Sequence, residues 1–237
     1  MTSPLTPVET TPTTRLNPHL MAQLGLISDI HGDPIALELA WAHLTLMGAD
    51  AIICAGDLVG YGPFPDRVVA FLQERQIPSV RGNHDRWAVE RPPHEPDEFG
   101  GGTASPETRL LLDRLEPSLV FERSGRIMVV VHGSPRGDMD FITPTTHPPR
   151  VLDGYLASLD ADVLIHGHTH RPMWYRSARG LVVNPGSLVS MPVVKTSRTF
   201  AMLDLNSLEV RFFDVESAQP LSVDPWPGEA PSIPPHS

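Results

Sequence analysis

Five short polar clusters stand in a fixed order along the chain: Asp29-Ile30-His31-Gly32, Gly56-Asp57, Gly82-Asn83-His84-Asp85, Val131-His132-Gly133 and Gly167-His168-Thr169-His170. Each follows a short run of β-forming apolar residues: Leu24 to Ile27, Ala51 to Cys54, Pro78 to Val80, Ile127 to Val131 and Val163 to Ile165. Buried strands that end on carboxylate, amide and imidazole groups put that chemistry at the carboxyl edge of an α/β sheet, where open sheets of this kind carry their sites. The fold must therefore bring five strand ends together.

A chain of 237 residues can bury one sizeable core, and a single domain is expected. The formal charge of -10 argues against sequence-independent binding to a nucleic-acid backbone, which needs a Lys/Arg surface, so polymeric DNA or RNA is not an expected partner. The only cysteine, Cys54, lies within an apolar run and reads as a small buried hydrophobe rather than a reactive thiol. No apolar stretch approaches the length of a membrane span, and the first two dozen residues lack a basic start followed by a hydrophobic segment. The expectation is a soluble cytoplasmic protein with no membrane partner.

Residues 1–21 are rich in Ser, Thr and Pro without an apolar period, and residues 217–237 carry Pro220, Pro225, Pro227, Pro231, Pro234 and Pro235. Both read as tails flanking a domain at 22–216, either of them a candidate for packing on a second copy of the chain. Between them strands and helices alternate at first, which suggests βαβ units with parallel strands. Asp33-Pro34 caps and opens a helix running to about Met47; Pro65 to Gln76 reads as a second; Ser105-Pro106-Glu107 opens a third, to about Leu115; Val151, Leu152, Tyr155, Leu156 and Leu159 have the period of a fourth. After His170 the pattern changes to short strands: Pro172 to Arg176, Gly180 to Asn184, Thr199 to Leu205 and Leu208 to Asp214, with a hairpin turn at Asn206-Ser207. A parallel first half and an antiparallel second half, both apolar, suggest two sheets face to face with helices outside. The Pro-rich, acidic and Gly-rich segment Arg91 to Ala104 reads as a mobile loop.

Asp29 and His31 lie two apart just beyond a strand, so a turn at Gly32 can aim both at one ion. Carboxylate with neutral imidazole suits Mn, Fe, Zn, Ni or Co better than calcium, which prefers oxygen alone. Asp-x-His alone is more often a cap and a surface histidine, and Gly56-Asp57 alone says less; His168-Thr169-His170 beside a glycine at a strand end has few structural explanations, and five clusters in order at strand ends decide the matter. His43 reads as a helix-surface or core residue, His166 as a neighbour of the site at most, and His19, His94, His147 and His236 as loop or tail residues. Asn184-Pro185-Gly186 reads as a structural turn.

With D-x-H, G-D, G-N-H-D, an isolated His and G-H-x-H all present, the chain resembles the calcineurin-like metallophosphoesterase superfamily over about Leu24 to Asp214. Ser28 to Gly32, Gly56 to Pro63, Gly82 to Asp85, His132 to Pro135 and Asn184 to Ser187 are similar to its YfcE-type phosphodiesterase group. The resemblance implies a four-layer αββα sandwich of two mixed sheets and two divalent transition-metal ions, manganese first, with Fe, Ni, Zn or Co as alternatives. It gives Asp29, His31, Asp57 and His170 to one ion and Asp57, Asn83, His132 and His168 to the other. Two divalent cations less two carboxylates and a bridging hydroxide leave about +1 in an acidic protein, which attracts a phosphate. The implied reaction is attack of that hydroxide on phosphorus.

In the family pattern His84 meets the phosphate or protonates the leaving oxygen, and Asp85 caps the following turn or orients His84. Protein Ser/Thr phosphatases of the superfamily carry G-D-x-x-D-R-G, and this chain has Gly60 and Tyr61 in place of the second Asp and the Arg. A missing bidentate guanidinium costs most for a dianionic monoester or a polyphosphate, so a small phosphodiester is the expected substrate. Arg86 or Arg136 could replace that Arg from other loops, which would suit a general phosphomonoesterase or a dinucleoside polyphosphate hydrolase instead. A non-catalytic scaffold is the rival from another class, and loss of ligands, which would favour it, is not seen.

Overall fold

The structure is a computed structural model that describes residues 22–92, 102–190 and 197–226. Its elements run β1 (Gln23–Ile27), α1 (Pro34–Leu46), β2 (Ala51–Cys54), α2 (Pro65–Glu74), α3 (Asn83–Glu90), α4 (Pro106–Asp113), β3 (Ser118–Arg123), β4 (Arg126–Val131), α5 (Pro149–Ser158), β5 (Val163–Ile165), β6 (Met173–Arg176), β7 (Leu181–Asn184), β8 (Thr199–Asp204), β9 (Glu209–Asp214) and β10 (Pro220–Leu221). The strands form two five-stranded mixed sheets, ordered β10-β9-β8-β1-β2 and β3-β4-β5-β7-β6. Parallel pairing joins β1 to β2 and β4 to β5 to β7, and the other pairs are antiparallel.

Side chains alternate across each strand, and this period of two divides the core. Leu24, Leu26 and Ile53 of one sheet meet Met128, Val130, Val163, Ile165, Leu181 and Val183 of the other in a cluster between the sheets. Their chain neighbours Ile27, Ile52 and Cys54, with Phe200, face Leu37 and Leu44 of α1 and Val68 and Leu72 of α2. Val129, Val131, Leu164 and Val182 face Leu152, Tyr155 and Leu156 of α5. Burying each such side chain stabilises by roughly 1.5–3 kcal/mol. The result is the expected four-layer αββα sandwich of two mixed sheets.

Caps follow the sequence reading. Asp33 accepts from the N–H groups of Ile35 and Ala36 at the head of α1, and Ser105 from Thr108 at the head of α4. Asp204 accepts from Asn206 and Ser207 in the β8–β9 turn.

The structure departs from the sequence reading in five places. Pro78 to Val80 forms no full strand: only Ser79 bridges to Cys54, because the chain leaves the sheet to start α3. Helix α3 was not anticipated, since NHDRWAVE has no long apolar stripe; the Asp85 carboxylate closes its first turn on the Gly82 N–H. Edge strand β3 was missed for a related reason, as every other residue faces solvent. The two halves are not parallel and antiparallel in turn: fully buried β7 lies parallel on β5, and β8 crosses to the first sheet to pair with β1. Residues 217–226 are tied to the domain rather than a tail: β10 pairs with Phe212 and Phe213, and Trp226 donates its backbone N–H to Trp174 O and its indole N–H to His147 O. Proline is tolerated there because β10 is an edge strand. The tail at 1–21, residues 227–237, and residues 93–101 of the expected Arg91–Ala104 loop lie outside the described residues.

Candidate metal centre

The loops after β1 and β2 are laced together by backbone bonds, Asp29 N–H to Gly56 O (2.9 Å), and Ile30 and His31 N–H to Asp57 O (2.9 and 3.0 Å). Asp29, His31, Asp57, His168 and His170 all have positive φ, between 48 and 68°. Asp and His enter this left-handed region more readily than most residues, yet it costs of order 1–2 kcal/mol each. Such strain clusters at functional sites, where the surrounding structure holds it in place.

The turns bring the side chains to one point. His170 Nε2 lies 3.2 Å from Asp29 Oδ1 and 3.0 Å from His31 Nε2. His31 Nε2 is 3.8 Å from both Asp29 Oδ1 and Asp57 Oδ2. On the other side of Asp57, His132 Nε2 lies 3.1 Å from its Oδ2 and 3.1 Å from Asn83 Oδ1. Ligand atoms of Asp29, His31 and His170, of His31, Asp57 and His84, and of Asp57, His132 and His168 fall within 4.8 Å of one another in each group. Asp57 is common to the second and third groups, and His31 to the first and second. His84 also falls within reach of His31 and Asp57.

The electrostatics suit a cation. Burial disfavours charge on Asp57, but His132 overrides it and holds the carboxyl well below the usual range. Burial likewise opposes charge on His132, and Asp57 overrides it, pushing the imidazole up to about 10. Asp29 behaves as Asp57 does, lowered to about 2 because His170 outweighs burial. Burial keeps His31 neutral, down to about 3, and His168 neutral, down to about 4. The buried Nε2 of His168 has no hydrogen-bond partner among the described residues. Two ionised carboxylates, an amide oxygen and four imidazoles, two of them neutral, fit divalent transition metals. Protonated His132 pairs with the Asp57 carboxylate, so a metal held by these two side chains would compete with that proton.

Neighbouring groups hold these side chains in place. Asp29 accepts from the His168 N–H (3.0 Å), and Asp57 Oδ1 from the His84 N–H (2.9 Å). Asp85 accepts from Leu58, Val59 and Gly82 N–H, tying the β2 loop to α3; this is the capping role expected of it. Buried Asn184 is more than a turn residue: its Nδ2 donates to Gly167 O (2.7 Å) and Thr169 Oγ1 (3.1 Å), bracing the loop that carries His168 and His170. Gly60, at φ +95°, leaves space that the His84 ring fills.

His84 is packed edge-on to His31 (4.8 Å between centroids) and Trp87 (4.9 Å), and tilted against Tyr61 (4.7 Å). Tyr61 is therefore at the site. Arg86 is committed elsewhere: its Nε and Nη2 bond Asp138 (2.7 and 3.3 Å), and Nη1 bonds Glu90 (3.1 Å). Arg136 lies over the Tyr155 ring at 5.6 Å. None of the described residues lining the cleft beside Asp57 and His84 is Lys or Arg.

His166 is buried beside Asn184 and Met173, and burial lowers it to about 3. His43 stacks on Phe200. Cys54 is buried, and burial pushes its thiol up. His147, expected as a loop residue, is fully buried against Tyr155 and Asp140. Sequence reasoning missed Trp87, Met139 and Phe141, which line the cleft. The only signal for the last two was a pair of large apolar residues in the Gly- and Pro-rich stretch after His132.

Carboxylates and imidazoles gathered at the strand ends of an αββα sandwich define a metal-dependent hydrolase site. Residues 22–208 match the calcineurin-like phosphoesterase superfamily domain, and the chain belongs to that family. It is a metallophosphoesterase. It is 28% identical over 200 residues to the phosphodiesterase YfcE of Escherichia coli K12, covering 80% of this chain and 91% of the relative. A metallophosphoesterase of Sphaerobacter thermophilus is 26% identical, with a TM-score of 0.65 over 82% of this chain and 88% of that one. A hypothetical protein of Pyrococcus horikoshii shares the fold, with a TM-score of 0.70 at 22% identity over 83% of this chain and 88% of that one. Among the described residues no helix is long and apolar enough to cross a membrane.

Proposed function

We propose that this metallophosphoesterase is a two-metal phosphodiesterase acting on small substrates. Asp29, His31, Asp57 and His170 would hold one ion and Asp57, Asn83, His132 and His168 the other, manganese being the first choice. When bound, such ions acidify water and offset charge on phosphoryl oxygens. His84 would donate a proton to the leaving oxygen, a reading supported by its backbone bond to Asp57 and its ring packing on three sides beside the proposed ligands.

The observation that carries the diester reading is the commitment of Arg86 to Asp138 and Glu90. With Tyr61 where related phosphatases have Arg, and no Lys or Arg among the described lining residues, a second negative charge on the phosphate meets no fork. A general phosphomonoesterase or a dinucleoside polyphosphate hydrolase would need that cation. The YfcE relative, named as a phosphodiesterase, supports the same choice.

The test is metal-stripped protein reloaded singly with Mn, Fe, Ni, Zn or Co and assayed on bis(4-nitrophenyl) phosphate and 4-nitrophenyl phosphate. The diester should be hydrolysed at a kcat/KM at least comparable to the monoester, and Tyr61→Arg should move the ratio towards the monoester. A monoester preference of about a hundredfold or more would overturn the diester reading.

A further inference from the structure

The cleft beside the candidate metal centre has a volume of about 220 Å³. Tyr61, Trp87, Met139 and Phe141 line it together with His84 and His168. Met139 and Phe141 are large apolar side chains left 45% and 49% exposed. Their segment is held from beneath. Asp140, between them, accepts from Ser134 Oγ at 2.6 Å, and the same carboxylate oxygen lies 3.3 Å from the fully buried His147. His147 in turn bonds the Tyr155 hydroxyl at 3.0 Å. This chain of bonds, which the metal centre does not use, fixes the backbone that presents the two apolar side chains to the cleft. Phe141 lies against the His168 ring at 4.0 Å between centroids, and Trp87 against His84 at 4.9 Å.

We propose that the cleft receives the organic arm of the phosphodiester and that this arm is a flat, uncharged aromatic group. The inference rests on the diester reading and adds the chemistry of the ester group. Three observations lead to it. Apart from Asp57, Asn83 and Thr169 the lining is rings and a thioether, which favour a π-face over an alkyl chain or a sugar alone. The volume fits one ring system, since a cavity of roughly 150 Å³ accepts benzene. No Lys or Arg stands among the described lining residues, so a further phosphate on the arm would go unpaired. Because His84 lines the same cleft, the arm it receives is the one that departs with the His84 proton. Hydrolysis then breaks the bond between phosphorus and that arm's oxygen, and water supplies the new oxygen on phosphorus.

The shared chemistry is a planar ring, which an aryl alcohol or a nucleoside can supply. The test uses competitive inhibition of bis(4-nitrophenyl) phosphate hydrolysis by monoanionic esters differing only in the arm: ethyl methylphosphonate, phenyl methylphosphonate and thymidin-5′-yl methylphosphonate. Inhibition constants do not depend on leaving-group acidity. Phenyl should bind at least about tenfold tighter than ethyl, and the ratio should fall below about threefold in Phe141→Ala. Met139→Ala, at an exposed position that tolerates truncation, should lower the ratio in the same direction and serves if Phe141→Ala fails to fold. Thymidine binding as tightly as phenyl supports the proposal with a nucleoside arm, and phenyl alone binding tightly supports it with an aryl arm. Equal constants for ethyl and phenyl in the wild type, or a ratio unchanged in both variants, overturn it. The diester reading itself fails on a different measurement, the diester-to-monoester ratio, so the two failures are distinguishable.

Discussion

Replacing Gly60 by Ala tests how this chain positions His84. A Cβ at residue 60 would stand 2.8 Å from the His84 Cγ and closer still to Nδ1. Carbon atoms make ordinary contact at about 3.5–4.0 Å, so the ring must move by on the order of 1 Å. It has little room to do so, because His31, Tyr61 and Trp87 hem it in at centroid distances of 4.7 to 4.9 Å. Residue 60 is also at φ +95°, where a Cβ adds strain of about 1–2 kcal/mol. The expected loss of stability is about 1–3 kcal/mol, which for a domain of this size lowers Tm by roughly 3–10 °C. A misplacement near 1 Å costs about 10²-fold in turnover. Gly60→Ala should therefore lose about a hundredfold in kcat on bis(4-nitrophenyl) phosphate while still folded, with metal content unchanged, because the proposed ligand set does not include His84. Steady-state kinetics, elemental analysis of the purified protein and thermal unfolding measure the three quantities. Turnover within about threefold of wild type at an unchanged Tm would refute the steric argument. Metal lost in proportion to activity would show that the displacement reaches the metal ligands, His31 beside the ring or His84 itself.

His84→Ala should keep both metals and lose about 10²- to 10⁴-fold in turnover, whereas Asp57→Asn should lose metal, and elemental analysis beside kinetics separates the two. Asn184→Ala removes the brace of the Gly167–His170 loop and should weaken metal affinity by roughly 10- to 100-fold, read by titrating metal into the stripped protein; affinity within twofold of wild type would count against the bracing role. Phe200, fully buried on the face of β8 that meets α1, should cost about 3–5 kcal/mol on truncation to Ala, measured by urea unfolding. Trp226→Ala should cost about 1–3 kcal/mol in the same assay, because it removes the indole bond to His147 and packing on the second sheet; an unchanged midpoint would mean that this segment contributes nothing to stability.

Sequence alone determined the donor types and the strands that carry them. Asp29, Asp57, His132 and His168 each follow an unbroken run of apolar residues of strand length, and that signal is local. The caps at Asp33 and Ser105 were legible for the same reason, since each acts within three residues. Tertiary structure decided what depends on partners far apart in the chain. It set Asp29 beneath the His168 N–H, 139 residues away, and joined Arg86 to Asp138, 52 residues on, which removes that arginine as a replacement for the missing phosphate fork. It turned a polar stretch into α3, because the Asp85 cap and packing against α4 supply what the apolar pattern lacks. It buried His147 and, through Asp140, placed Phe141 in the cleft. Local pattern encodes element type, whereas the face each strand presents and its neighbours across a sheet or a cleft follow from packing the whole chain into one volume, which no window of residues contains.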